Sequence, residues 1–399
     1  MKSTGDTLRI GLATEDFLPY THVWVYRQME SRGRRPCVVL CRGRVEAEAF
    51  AFDSIVCSPP PSRMAQALKA RLWPFFRHVK ARLTPRNHRD FLMAIREHRI
   101  GLVHAHFGTM AVLMEPVCRE AGIPLLVTFH GFDVTAAPLR WPAYGEQVKR
   151  MLRGGAFVAA ITKEMAAVVM ELGADPARVF QSYLGVPVKE FRFLDRSGRS
   201  GPVHFLHAGR LTAKKGVPDL VRAFARAFPV KAEAMLTIAG DGEEMDLVGK
   251  SVKEARAASD VRILGRVSDD TLDRLRREAD VFVANCRTDE AGTREGLPIA
   301  ILEAASTGLP VLSTWHAGIP EAVEDGVSGR LVLERDGVAL AAALREMADR
   351  PRLLEWGRAG RLRMENMFDL EKCNDVLWQV YASVAPSSKP WHREGEGTA

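Results

Sequence analysis

Two glutamates stand eight positions apart in REGLPIAILEA, residues 294 to 304: Glu295 beside a glycine, and Glu303 beyond a proline and an apolar run. A carboxylate accepts hydrogen bonds and takes them readily from two vicinal hydroxyls, the groups that sugars and riboses offer. Pro298 suits a first helical turn and Gly308 a helix C-cap, so Glu295 is expected in a loop mouth and Glu303 inside the helix about two turns on. Gly296 lets the backbone approach a ligand closely, and the free N–H groups at the start of the helix that follows Leu297 and Pro298 favour an anion. This spacing suits an elongated ligand with a hydroxyl-rich group at Glu295, a phosphate at the amides and a second hydroxyl-rich group near Glu303. A nucleotide sugar has all three parts. Taken alone, the two glutamates also fit a plainer account, as a helix N-terminal charge and a solvated helix residue.

A second constellation bears on the choice. HAGRLTAKKGVPDL, residues 207 to 220, follows the strand-like run VHFLHAG and precedes a helical pattern, so Arg210 and Lys215 emerge at one edge of a sheet. Two cations there could stabilise the charge that develops as a nucleoside diphosphate leaves; the alternative is ordinary surface charge. The chain has no D-x-D, so a metal-bridged diphosphate site has no candidate. Metal independence is the expectation, with a nucleoside-diphosphate sugar as co-substrate and no other cofactor. G-x-G-x-x-G is also absent, and GDGEE, residues 240 to 244, is a weak nucleotide signal.

These residues need elements to hold them. Short β-branched runs (LRIGLAT, PCVVLC, DSIVC, GLVHAH, PLLVTFH, AFVAAIT and RVFQSYL) alternate with helical segments, and after LDRSGRSGP the rhythm restarts with VHFLHAGR, MLTIAGDG, VRILGR, VFVAN, PVLSTW and GRLVL. Such alternation predicts parallel sheets covered on both faces. The fold class is therefore α/β, with two Rossmann-like domains facing a cleft. The expected divisions are residues 1–195 and 196–369, one Rossmann-like domain each, then a helix over 370–385 and a disordered tail over 386–399. In that last helix the 3.6-residue period puts Val376, Leu377, Val380 and Val384 on one face.

At 399 residues the chain exceeds what one core normally supports, and its 47% hydrophobic and 26% charged content is ordinary for a globular protein. Its charge of +7 is uneven: residues 1–195 carry 27 Lys+Arg against 18 Asp+Glu, a surplus of nine, and the remainder 29 against 31. An acidic partner is expected on the first half. The six cysteines lack C-x-x-C spacing, no signal-peptide pattern opens the chain and no run of eighteen apolar residues occurs, which fits a cytoplasmic protein.

GRLTAKKG, IAGDGEE, ILGRVSDDTLDRLRREADVFV, EGLPIAILEA and GLPVLSTWHAGIPEAVEDGVSGRLV occur in an order that resembles the retaining glycosyltransferases of the GT-B fold, family 4, across roughly residues 8 to 384. The resemblance implies that Glu295 contacts the donor sugar, Glu303 the nucleotide ribose, and Arg210 with Lys215 the diphosphate. In the first half the match is to HAHFG, residues 104 to 108, and TFHGFD, residues 128 to 133; it implies that His130 faces the donor sugar near the reacting carbon. His104 and His106 share a strand face, and His106 is an acceptor-side candidate. The first loop, EDFLPYTHVWVYRQM, lacks the glycines of many members and is similar to the branch that assembles exopolysaccharide and lipopolysaccharide. Thr21 and His22 stand where that branch places small hydroxyl residues.

Residues 69–90, KARLWPFFRHVKARLTPRNHRD, interleave seven Lys or Arg with aromatic and aliphatic residues. Arg71, Trp73, Arg77, Lys80 and Arg82 would suit the anionic inner face of a cell membrane, and a core helix with a solvated charged face is the alternative. No nucleic-acid motif accompanies the charge. The function expected is transfer of a hexosyl unit from a nucleoside-diphosphate sugar, UDP first and GDP-mannose second, to a saccharide or lipid-linked saccharide. The rivals are a sugar-phosphate synthase or phosphorylase of the same fold, and a non-catalytic sugar- or nucleotide-binding module.

Overall fold

A computed structural model of the chain describes residues 8–17, 23–30, 37–45, 52, 54–58, 82–196, 198–230, 232–255 and 260–385. Thr21, His22, Arg71, Trp73, Arg77 and Lys80 lie outside them, as does the tail from 386. Arg82 is described, exposed just ahead of the helix Pro85–Glu97.

The apolar runs form two sheets. The first comprises β1 (Arg9–Phe17), β2 (Cys37–Arg44), β3 (Ile55–Cys57), β4 (Ile100–His106), β5 (Leu125–Thr128), β6 (Phe157–Ala160) and β7 (Val179–Gln181), in the order β3-β2-β1-β4-β5-β6-β7. The second comprises β8 (Val203–Ala208), β9 (Ala234–Ala239), β10 (Val261–Gly265), β11 (Val281–Val283), β12 (Val311–Thr314) and β13 (Gly329–Val332), in the order β10-β9-β8-β11-β12-β13. Every pairing is parallel. Parallel strands bury both faces, which is why β5 (LLVT) and β12 (VLST) are buried at every residue and carry no polar alternation. The strand order reverses between β1 and β4 in one sheet and between β8 and β11 in the other. Ligands of open α/β sheets bind beyond the strand ends at such switch points. His106 ends β4, and Arg210 follows β8.

The last described helix, Leu370–Val384, crosses back to the first sheet. Its Leu377, Val380, Tyr381 and Val384 pack on Ile10, Leu102, Leu126 and Ala159, one each from β1, β4, β5 and β6. Val376, expected on that face, is instead 42% exposed. At about 100° per residue it stands a quarter turn from Leu377, and Tyr381 takes the inner position because its hydroxyl has a buried partner there. That partner is His104: Nδ1 lies 2.7 Å from the Tyr381 hydroxyl, and Nε2 lies 2.8 Å from Thr128 Oγ1. Burial pushes the imidazole down to about 3, so His104 is neutral.

The helix Ile299–Ser306 starts one residue later than its sequence suggests, because Pro298 is in an extended conformation and serves as N-cap. Glu303 is therefore its fifth residue, little more than one turn in. Beyond it, Gly308 adopts φ +80°, and Leu309 N–H donates to Ala304 O at 3.2 Å, closing the helix. Between the domains, Arg196 is buried and donates to the carbonyls of Leu194, Arg276, Ala279 and Thr307, so the connection is pinned to the second domain.

Candidate active site

Two loops of the second domain make the core of the site. After β8 the chain forms a short 3-10 turn, Ala213–Lys215, and leaves it through Gly216 at φ +57°. After β11, Asn285 donates from Nδ2 to Gly216 O at 2.9 Å, and Arg287 N–H donates to Lys214 O at 2.8 Å. This lacing delivers two ammonium groups to one carboxylate: Lys214 Nζ lies 3.0 Å and Lys215 Nζ 3.1 Å from Glu295 Oε1. The attraction is chiefly that of charge. Burial works against the Glu295 carboxylate, yet the two lysines hold it at about 2. Burial likewise works against the Lys215 ammonium, and Glu295 more than offsets it. Arg210, exposed on the same turn, adds a third positive charge. Two lysines thus face one carboxylate with Arg210 close enough to act on Lys215, a surplus of positive charge that an anionic ligand would balance.

Gly296, Leu297 and Pro298 are buried. Glu303, one turn deeper, is held by the guanidinium of Arg276, from the helix Asp269–Glu278, and by Arg27 Nη1 at 3.4 Å, from Val23–Glu30 of the first domain. Donors therefore reach this carboxylate from both sides of the cleft.

The first domain presents His130 just past β5. Its backbone N–H donates to Asp133 Oδ1 at 2.9 Å, while Asp133 Oδ2 accepts the Gly108 N–H at 2.8 Å. One carboxylate thereby ties the His130 loop to the start of the helix Gly108–Ala121. Burial pushes Asp133 up to about 6 despite those donors. The His130 ring packs 4.4 Å from both Trp24 and Phe107, and its Nε2 lies 3.3 Å from His106 Nδ1. His106, the acceptor-side candidate, is fully buried and meets the His130 ring, so its own ring is not exposed to the cleft.

Glycines bring the two lips together. A Cβ on Gly131, at φ +117°, would lie 2.7 Å from Arg294 O, and one on Gly296 would lie 3.0 Å from His130 O. Nearby, Arg294 Nη1 pairs with Glu164 Oε1 at 2.5 Å, and Lys163 N–H donates to Glu321 Oε1 at 2.7 Å. The structure thus gathers Glu295, Gly296, Arg210 and Lys215 with the His130 loop opposite, and sets Glu303 along the same helix. Sequence reasoning passed over Lys214, Asp133, Arg276 and Arg27. The Lys214–Lys215 doublet and the His130-x-x-Asp133 spacing were visible signals, whereas Arg27 and Arg276 carried none.

The family model for glycosyl transferases group 1 matches residues 192–363, and that for glycosyltransferase family 4 matches residues 25–190. The GDP-mannose-dependent alpha-(1-6)-phosphatidylinositol monomannoside mannosyltransferase of Mycobacterium tuberculosis is 30% identical over 376 residues, 88% of this chain and 92% of that protein. The chain belongs to glycosyltransferase family 4. Another relative is the putative colanic acid biosynthesis glycosyltransferase WcaL of Salmonella typhimurium, 29% identical over 61% of this chain. The match spans only 60% of the length of that Salmonella protein. Anabaena HepE, solved in complex with UDP, superposes with a TM-score of 0.76 at 16% identity, over 94% of this chain and all of the other. That likeness shows the family's GT-B fold.

Proposed function

We propose that this family 4 chain is a retaining, metal-independent glycosyltransferase that moves a hexosyl unit from a nucleoside-diphosphate sugar to a saccharide or lipid-linked saccharide in exopolysaccharide assembly. The observation that carries the reading is the approach of Lys214 and Lys215 to Glu295, with the His130 loop pressed against Gly296. Arg210, Lys214 and Lys215 bind the diphosphate and stabilise it as it departs. Glu295 orients the sugar hydroxyls, Glu303 the ribose, and His130 faces the reacting carbon. In a front-side displacement the acceptor oxygen bonds to the anomeric carbon on the face the diphosphate leaves. The sugar–phosphate bond breaks, and the acceptor's proton passes to a diphosphate oxygen. The names of the Salmonella and mycobacterial relatives support the polymer context and a nucleotide-activated donor. UDP-sugars are the first donors to test, in keeping with the UDP held by Anabaena HepE, and GDP-mannose the second.

Donor hydrolysis across UDP-, GDP- and ADP-sugars, with and without acceptor glycans, tests the reading. Turnover of one donor class is expected, and binding without turnover of any would leave a non-catalytic module. EDTA is expected to leave that turnover intact, since lysine and arginine supply the positive charge. Abolition reversed by Mn²⁺ or Mg²⁺ would overturn the metal-independent part.

A further inference from the structure

Behind Glu295 lies a pair of side chains that no contact with donor or acceptor requires. His316 follows β12 and is fully buried; Glu334 follows β13 and is partly exposed. The Glu295 backbone N–H points at His316 Nε2, 3.1 Å away. An amide can only donate, so Nε2 must be the lone-pair nitrogen and the ring proton must sit on Nδ1. Nδ1 lies 2.6 Å from Glu334 Oε1, and Glu334 Oε2 accepts the Thr288 N–H at 2.8 Å. Burial raises the Glu334 pKa, but the Thr288 amide and His316 more than offset it, so the carboxylate is held below its usual range. The backbone is strained immediately after both residues: Ala317 has φ +46° and Arg335 φ +63°. Non-glycine residues keep such angles only where their surroundings over-determine them. A second bond, Gly318 N–H to Gly296 O at 3.1 Å, joins the same two loops.

We propose that His316 and Glu334 are positioning residues for Glu295: Glu334 fixes the proton on Nδ1, and Nε2 thereby holds the Glu295 amide and aims its carboxylate at the donor sugar. The role deepens the transferase reading and rests on it for the identity of the ligand, though not for the bond itself.

Two substitutions separate this from a packing role. His316→Gln can place an amide oxygen where Nε2 stood, whereas His316→Asn reaches only as far as Nδ1. Calorimetry with UDP-glucose against UDP, and GDP-mannose against GDP, reads the sugar's share of binding. For whichever pair binds, His316→Asn is expected to weaken the nucleotide sugar by about tenfold, one oriented contact, while changing the bare nucleotide by less than about threefold. His316→Gln is expected to restore the parent ratio to within about threefold, and Glu334→Gln to fall between. Equal ratios in the parent, Asn and Gln proteins would overturn the proposal, as would equal loss of nucleotide and nucleotide sugar. If the parent binds none of the four probes, the transferase reading fails, and the bond is decided by two measurements that need no ligand. Long-range ¹H–¹⁵N spectra of histidine-labelled protein should show the His316 proton on Nδ1. Exchange of the Glu295 amide should be slow in the parent and His316→Gln and fast in His316→Asn. A proton on Nε2, or exchange unchanged by His316→Asn, would overturn the proposal.

Discussion

At the scale of residues, the site is a local excess of positive charge around one carboxylate. Arg210→Ala and Lys215→Ala are each expected to lower kcat more than they raise the donor KM, because their charges match the diphosphate best as it departs. Losing one such contact in a sheltered cleft costs about 2 to 4 kcal/mol, on the order of a hundredfold in rate. Steady-state kinetics check this, and a loss confined to KM would make them binding groups only. Glu295, Glu303, Arg210 and Lys215 were legible in the sequence because each stands at a fixed distance from a strand end or a helix start. Arg27 and Glu303 lie 276 positions apart and meet only once the two domains are set face to face. His316 and Glu334 stand in loops whose adjacency follows from the β12–β13 pairing, which no local pattern announces.

At the scale of elements, loops that project from two sheets must fit without side chains between them. Gly296→Ala would put a Cβ 2.8 Å from Ile161 Cδ1 and 3.0 Å from His130 O, forcing the lips apart. The His130 loop must then give by a few tenths of an ångström, and since a displacement of about 1 Å at reacting groups costs on the order of a hundredfold, kcat/KM is expected to fall by up to about tenfold. Thermal stability should change little, and unaltered kinetics would show that the lips need not touch. The strand runs were legible because buried parallel strands are largely apolar, and all thirteen runs form strands of the two parallel sheets. The inner face of the last helix was misjudged at Val376 because period alone does not register Tyr381's bond to His104. That bond carries its own test. The unfolded chain protonates His104 near 6.5, the folded chain only near 3, so between those values the unfolded state holds the extra proton. Stability from this group is complete above pH 6.5 and falls as the pH drops toward 3. His104→Asn, which does not titrate, should flatten the stability curve there by up to about 1.4 kcal/mol per pH unit. Denaturant unfolding across the range measures it, and an unchanged slope would remove His104 as the source.

At the scale of the whole molecule, charge and connectivity divide the labour between the halves. The surplus of nine positive charges before residue 196 and the basic run 69–90 make an anionic surface the expected neighbour of the first domain. Each Lys or Arg near such a surface contributes about 1 kcal/mol, and the attraction fades within about 8 Å at physiological salt. Binding to phosphatidylglycerol vesicles should therefore be strong at low salt, and glutamine at Arg71, Arg77, Lys80 and Arg82 should weaken it without slowing turnover of a short soluble acceptor. Equal vesicle binding by both proteins would redirect the charge to an anionic acceptor glycan. The crossing helix has a consequence in time as well as in space. Ile10, Leu102, Leu126 and Ala159 emerge early in synthesis, but their cover, Leu377 to Val384, emerges about 200 residues after β7. At roughly 5 to 20 residues per second that is about 10 to 40 s during which an apolar sheet face lacks its native lid. The first domain to be made is thus the last to be finished, and a premature stop in the final few turns of the chain would undo the beginning of the protein.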